Sequence, residues 1–338
     1  MMRITASVLA ICATTALVGM PQVSAQEQAP YSGIVVFGTS LSDPGNAFAL
    51  RGGTNTPADF DLSPFLVPSA PYAPGGLHFS NGETWIEQFG RSLGLAGSVQ
   101  PAYRAESPFA TNYAVGATRA CDRPDSETQP ETFYDLPNQV SDFVADVGGV
   151  APSDALYVIE MGGNDVRDGI VAALGVLQNG GTLQAAMLAA LPALTCAQQS
   201  IAGAILTLQQ AGAQEFLVWT APNPGLTPAI RSLGAGPMQL AAAITTVFNM
   251  QMLGPTLVAL DQAPGIDIAV LDAFTLLQNI STNPASFGLT NATAACITPN
   301  DAPFFCQNAD DYLFWDGIHP TRAAHALVAL EAARVLGQ

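Results

Sequence analysis

The sequence predicts an α/β fold in which a parallel sheet is covered by helices on both faces. Three observations carry that expectation. Short apolar runs bounded by Gly, Pro or Asn recur along the chain, Ala- and Leu-rich segments of helical length lie between them, and 338 residues at 49% hydrophobic supply one sizeable core.

Taken in order, the runs at residues 34–37, 112–115, 155–161, 215–220 and 266–271 read as about five buried strands. The helical segments are 183–211, with a break expected near Pro192, then 237–263 and 322–335. Residues 46–108 are rich in Pro, Gly and Ser and show little periodicity, which predicts an extended loop over one end of the sheet, where loops often build pockets. Within it, Phe60, Phe65, Leu66, Tyr72, Leu77 and Phe79 can line an apolar slot or cover the sheet, and packing is the preferred reading.

The first 25 residues read as a leader. Arg3 supplies a positive charge, residues 6–20 are almost wholly apolar, and Val23-Ser24-Ala25 offers small residues for cleavage. The expected product is a secreted or periplasmic single domain, residues 26–338, in which no later segment reads as a membrane helix. All 10 basic residues are Arg, against 27 acids, and a formal charge of −17 opposes a polyanion that binds mainly through its phosphates, so nucleic acid is a poor partner. Cys12 leaves with the leader. The four remaining cysteines favour two disulfides over metal ligation, and of the three pairings Cys296–Cys306 is preferred because those residues bracket a short Pro-containing loop, which leaves Cys121–Cys196.

The chemistry gathers where strands end. Ser40, in Gly38-Thr39-Ser40-Leu41-Ser42-Asp43, follows the first strand at the edge where sites in open α/β sheets form. A serine hydroxyl needs a base to become a nucleophile, and the base needs an orienting group. Of three histidines, His319 has Asp316 three positions before it, whereas His78 and His325 have no comparable partner and read as a loop polar group and a helix-face polar group. Gly116 and Asn164 end two further strands and are candidate donors to a developing oxyanion.

Five blocks in one order, Phe37 to Asn46, Phe79 to Trp85, Asn112 to Ala117, Gly162 to Asp165 and Asp316 to Pro320, resemble those of the GDSL esterases and lipases of the SGNH hydrolase superfamily. The Ser-Asn-Gly and Trp-Asp-Gly-Ile-His-Pro wording resembles its secreted bacterial lipase and phospholipase branch. The resemblance implies a flavodoxin-like three-layer α/β/α sandwich, with no metal and no organic cofactor. It implies Ser40 as nucleophile, His319 as base, Asp316 as the acid that orients it, and the Ser40 N–H, Gly116 and Asn164 as oxyanion donors. The family usually has Asp before the nucleophile. Thr39 stands there instead and keeps an oxygen able to accept a backbone hydrogen bond, so activity is expected to survive. The implied substrate is a small-molecule or lipid ester. Removal of a sugar O-acetyl group, or acyl transfer to an alcohol, uses the same residues, and a binding protein that has lost catalysis through Thr39 is the alternative of another class.

Overall fold

The computed structural model describes residues 29–57, 67–68, 70–72, 76–104, 109–126, 129–299 and 302–338, so the leader and Phe60, Phe65 and Leu66 lie outside the described residues. Strands β1 (Ile34–Gly38), β2 (Leu156–Glu160), β3 (Glu215–Trp219) and β4 (Asp267–Leu271) pair in that order, all parallel. A second, two-stranded sheet joins β5 (Asn291–Ala295) to β6 (Tyr312–Phe314). The helices are α1 (Asn46–Leu50), α2 (Trp85–Ser92), α3 (Leu136–Asp146), α4 (Gly163–Gln178), α5 (Leu183–Ala211), α6 (Pro228–Arg231), α7 (Ala235–Thr246), α8 (Gly254–Asp261), α9 (Ala273–Thr282) and α10 (Arg322–Val335).

Each central strand feeds two cores, because successive side chains point to opposite faces. Val35, Phe37, Tyr157, Ile159, Phe216 and Val218 pack against α3, α4, α5, α7 and α8. Ile34, Val36, Leu156, Val158, Leu217 and Trp219 pack against α2 and α10. The result is a three-layer arrangement.

The expected strand at 112–115 is an interrupted ladder rather than a full strand. Val36 N–H donates to the Thr111 carbonyl at 2.9 Å, and the N–H groups of Tyr113 and Val115 donate to Val36 and Gly38 at 2.8 and 3.1 Å. Gly38 N–H, which would continue the ladder, donates instead to Gln139 Oε1 at 2.9 Å. Counting this segment, the order across the sheet is second, first, third, fourth, fifth, and the crevice of such a sheet opens between the first and third. That is where β1 and β2 end.

Three further expectations are corrected. Residues 46–108 contain α1 and α2. The α2 signal was present, since Glu87 three residues after Thr84 accepts the Thr84 N–H at 2.8 Å, but the helix is too short for a periodic pattern. Pro192 does not break α5: it lies on the exposed side, while Ala186, Ala190, Leu194, Ala197, Ile201, Ile205 and Leu208 form a continuous buried stripe, so packing outweighs the missing hydrogen bond. Residues 235–261 run as α7, a π-helical turn at Val247–Leu253, and α8, and Asn249 in the wide turn exchanges hydrogen bonds with Ala221 at 2.8 and 2.9 Å. By length and composition, Leu183–Ala211 and Ala235–Asp261 are apolar enough to cross a membrane, and here each lays a buried stripe on the sheet layer.

Glu160 closes β2 with its carboxylate turned toward the end of β1. It accepts the Thr39 N–H at 2.9 Å and the Thr39 hydroxyl at 3.1 Å from each oxygen, so the Thr39 oxygen donates rather than accepting a backbone bond. Burial pushes Glu160 from 4.5 up to about 7, against hydrogen bonds from Thr39 and Ser42 that favour the ionised form. The folded chain thus holds this proton more tightly than the unfolded chain. Its contribution to stability is fully present below about pH 4.5 and is lost as pH rises to about 7. Urea unfolding at pH 5 and pH 8 is expected to show a smaller loss for Glu160→Gln than for the natural chain, by something on the order of 3 kcal/mol; equal losses would refute the account.

Candidate active site

Ser40 follows β1 and His319 precedes α10, and the two meet. His319 Nε2 lies 2.8 Å from Ser40 Oγ, and His319 Nδ1 lies 2.6 Å from Asp316 Oδ2. Asp316 is fully buried and His319 almost so. The other Asp316 oxygen accepts the backbone N–H groups of Ile318 and His319 at 2.8 and 2.6 Å, which winds residues 316–319 into one turn around the carboxylate. Trp315 N–H closes that turn on the His319 carbonyl at 2.8 Å.

Both loops are clamped by side chains from the same sequence blocks. Ser80 Oγ donates to the Pro320 carbonyl at 2.8 Å, and Asn81 Oδ1 accepts the Arg322 N–H at 2.7 Å, so the Ser-Asn pair holds the residues just after His319. On the serine side, Asp43 accepts the N–H groups of Gly45, Asn46 and Ala47 at 2.8, 2.7 and 3.0 Å. Burial nevertheless raises its carboxyl to about 6. Trp85 Nε1 donates to Ser42 Oγ at 2.9 Å, and Asn46 Nδ2 donates to the carbonyls of Asn112 and Ala114 at 2.8 and 2.9 Å.

At the expected oxyanion donors the structure departs from the sequence reading in one place. Gly116 N–H is taken by Asp43 Oδ2 at 2.8 Å, and a Cβ at Gly116 would fall 2.2 Å from the Phe79 ring, so this glycine serves close packing. The next residue, Ala117, has φ of 72°, a left-handed conformation that costs a non-glycine residue about 1–2 kcal/mol. Its N–H and that of Ser40 meet no acceptor among the described residues. Asn164 gives one amide hydrogen to the Thr118 carbonyl at 2.8 Å, leaving the other without an acceptor among the described residues. Ser40, Ala117, Asn164 and His319 line one cavity of about 220 Å³. The glycine is legible as a turn, but which of two neighbouring amides stays unbonded depends on Asp43, far away in sequence.

Tyr72, expected from the sequence to pack within the loop, reaches the site. Its hydroxyl donates to Asp316 Oδ2 at 2.7 Å, and its ring meets Trp315 edge-on at 5.7 Å. Burial, then the Asp316 charge, raises the phenol far above its usual range. Phe79, from the same loop, lies 5.4 Å from the His319 ring, centroid to centroid. His78 does have a partner, Glu87 at 2.9 Å, which makes it a brace for α2. His325 is buried rather than on a polar helix face, and burial, with smaller effects of His78 and His319, pushes it down to about 3, so it is neutral. The disulfides are Cys121–Cys196 and Cys296–Cys306. Among the described residues no group of three His, Cys, Asp or Glu is placed to hold a metal.

A second cavity, about 140 Å³, runs from Ser40 and His319 between α4, α9 and α10, lined by Leu276, Leu277, Ile280, Phe314 and Val328.

Residues 34–332 match the family model described as GDSL-like lipase/acylhydrolase. Esterase EstA of Pseudomonas aeruginosa is 31% identical over 95% of this chain, and a GDSL esterase/lipase of Arabidopsis thaliana is 26% identical over 95% of both chains. Thermolabile hemolysin of Vibrio parahaemolyticus is 24% identical over 88% of this chain. The chain spans 62% of the hemolysin and 49% of EstA. With most of its length matched, the chain belongs to the GDSL-like lipase/acylhydrolase family.

Proposed function

We propose that this protein hydrolyses carboxylic esters through an acyl-enzyme on Ser40. The observation that carries the reading is the unbroken hydrogen-bond chain from Ser40 through His319 and Asp316 to Tyr72. His319 Nε2 takes the hydroxyl proton as Ser40 Oγ attacks the ester carbonyl, and Asp316 steadies the imidazolium. The N–H groups of Ser40 and Ala117 and the free amide hydrogen of Asn164 hold the tetrahedral oxyanion. Collapse expels the alcohol, which receives the proton from His319. Water then attacks the acyl-enzyme with His319 again as base, releasing the acid and restoring Ser40.

The apolar cavity supports an aliphatic acyl chain, and its Leu, Ile and Phe lining favours a lipid or short-chain ester over a sugar acetyl group. Thr39 supports retained catalysis rather than a binding role, because it hydrogen-bonds Glu160 and leaves the Ser40–His319 contact intact. The leader-like residues 1–25 and two disulfides support export to an oxidising compartment.

Ser40→Ala is expected to lower turnover of a chromogenic ester on the order of 10⁶-fold and to abolish labelling by a fluorophosphonate, with the circular dichroism spectrum unchanged; near-natural turnover would reject the nucleophile. Tyr72→Phe removes a donor from a buried carboxylate, and roughly a tenfold fall in kcat with KM preserved is expected. Unaltered kinetics would place Tyr72 outside the machinery.

A further inference from the structure

One charged group beside the reacting atoms is unused by this mechanism. Arg167 stands three residues after Asn164 on α4, and helix positions three apart share a face. Both side chains line both cavities, together with Ser40 and His319. The guanidinium is partly buried, and among the described residues it makes no hydrogen bond and no ion pair.

The chain has 27 acids against 10 arginines, and among the described residues Arg231, whose buried Nε has no partner, is likewise without a carboxylate. Arg51, Arg91, Arg119, Arg123, Arg322 and Arg334 each meet a carboxylate. The acids that flank Arg167 in sequence are already committed. Asp168 takes two N–H groups of Arg119 at 2.9 Å each, and Asp165 accepts the backbone N–H groups of Ala120 and Cys121, also at 2.9 Å. Burial, then repulsion from Arg119, lowers the proton affinity of Arg167, with Asp168 offsetting part of this. A partly desolvated cation with no bonded counter-charge is costly, and an arriving anion relieves that cost.

The two cavities differ in character. One is walled by aliphatic and aromatic side chains, as above. The other also carries Arg51 and Glu131. An acyl chain fits the first, which sends the alcohol half of the ester toward the second, past Arg167. A guanidinium presents paired N–H donors that match two oxygens of a phosphate or a carboxylate.

We propose, on the basis of the esterase reading above, that Arg167 binds an oxyanion on the alcohol side of the substrate and so selects esters of anionic alcohols over neutral ones. The test compares kcat/KM for the octanoyl esters of glycerol, glycerol phosphate and lactate, with octanoate release as the readout, in the natural chain, Arg167→Gln and Arg167→Lys. The natural chain is expected to prefer at least one anionic ester. In Arg167→Gln the ratio of anionic to neutral kcat/KM is expected to fall roughly tenfold or more, mainly through KM, with the Lys variant keeping part of the preference. A fall confined to the phosphate ester identifies a phosphate ligand, one confined to the lactate ester a carboxylate, and a fall in both any oxyanion. A ratio unchanged within about twofold overturns the proposal, as does a natural chain without preference. Failure of the esterase reading looks different: no ester is cleaved and no fluorophosphonate is incorporated. In that event calorimetric binding of octyl phosphate, expected to weaken in Arg167→Gln, still tests Arg167, and equal binding refutes it.

Discussion

Everything in the site depends on a contact between two loops 279 residues apart in sequence, the 2.8 Å approach of His319 Nε2 to Ser40 Oγ. Closing so long a loop is entropically unfavourable, and a single hydrogen bond contributes too little to enforce it. The geometry is imposed by packing. Strand β1 lies between residues 112–115 and β2, while α10 packs with α2 on one face of the same sheet and so delivers the histidine loop to the end of β1. Side-chain clamps then remove the remaining freedom, with Ser80 and Asn81 on one loop and Asp43 and Asn46 on the other.

Buried carboxylates perform much of this wiring. Asp43, Asp165 and Asp316 each accept backbone N–H groups from loops at the sheet edge, and Glu160 accepts one from Thr39. A loop that cannot continue a ladder leaves N–H groups unsatisfied, and a carboxylate satisfies several at once. Burial raises Asp43 and Asp165 to about 6, so the same residues that shape the site oppose full ionisation within it. Had the usual Asp stood at position 39, a second carboxylate would face Glu160. Thr39 meets Glu160 with a donor instead.

How much of this was legible follows from the range of each signal. The apolar runs that became β1 to β4 and the Asp316–His319 pair are local patterns, and both lie where the sequence places them. The wrong readings at Pro192, at 112–115 and at Gly116 share one cause. In each, a local rule was overridden by tertiary contacts: the packing of the α5 stripe on the sheet layer, the side-chain amide of Gln139, and the carboxylate of Asp43. Tyr72 was hidden for the same reason, since nothing near it in sequence announces a partner 244 residues away.

The shorter disulfide has a bearing on reactivity that its loop size does not suggest. Cys296 and Ile297 donate their N–H groups to the carbonyls of Phe314 and Trp315, directly before Asp316. The covalent link to Cys306 braces the end of β5 beside the strand that leads into Asp316 and His319, while the four-stranded parallel sheet packs between its two cores. That link therefore reaches the Asp316–His319 turn through two backbone hydrogen bonds rather than through the parallel sheet.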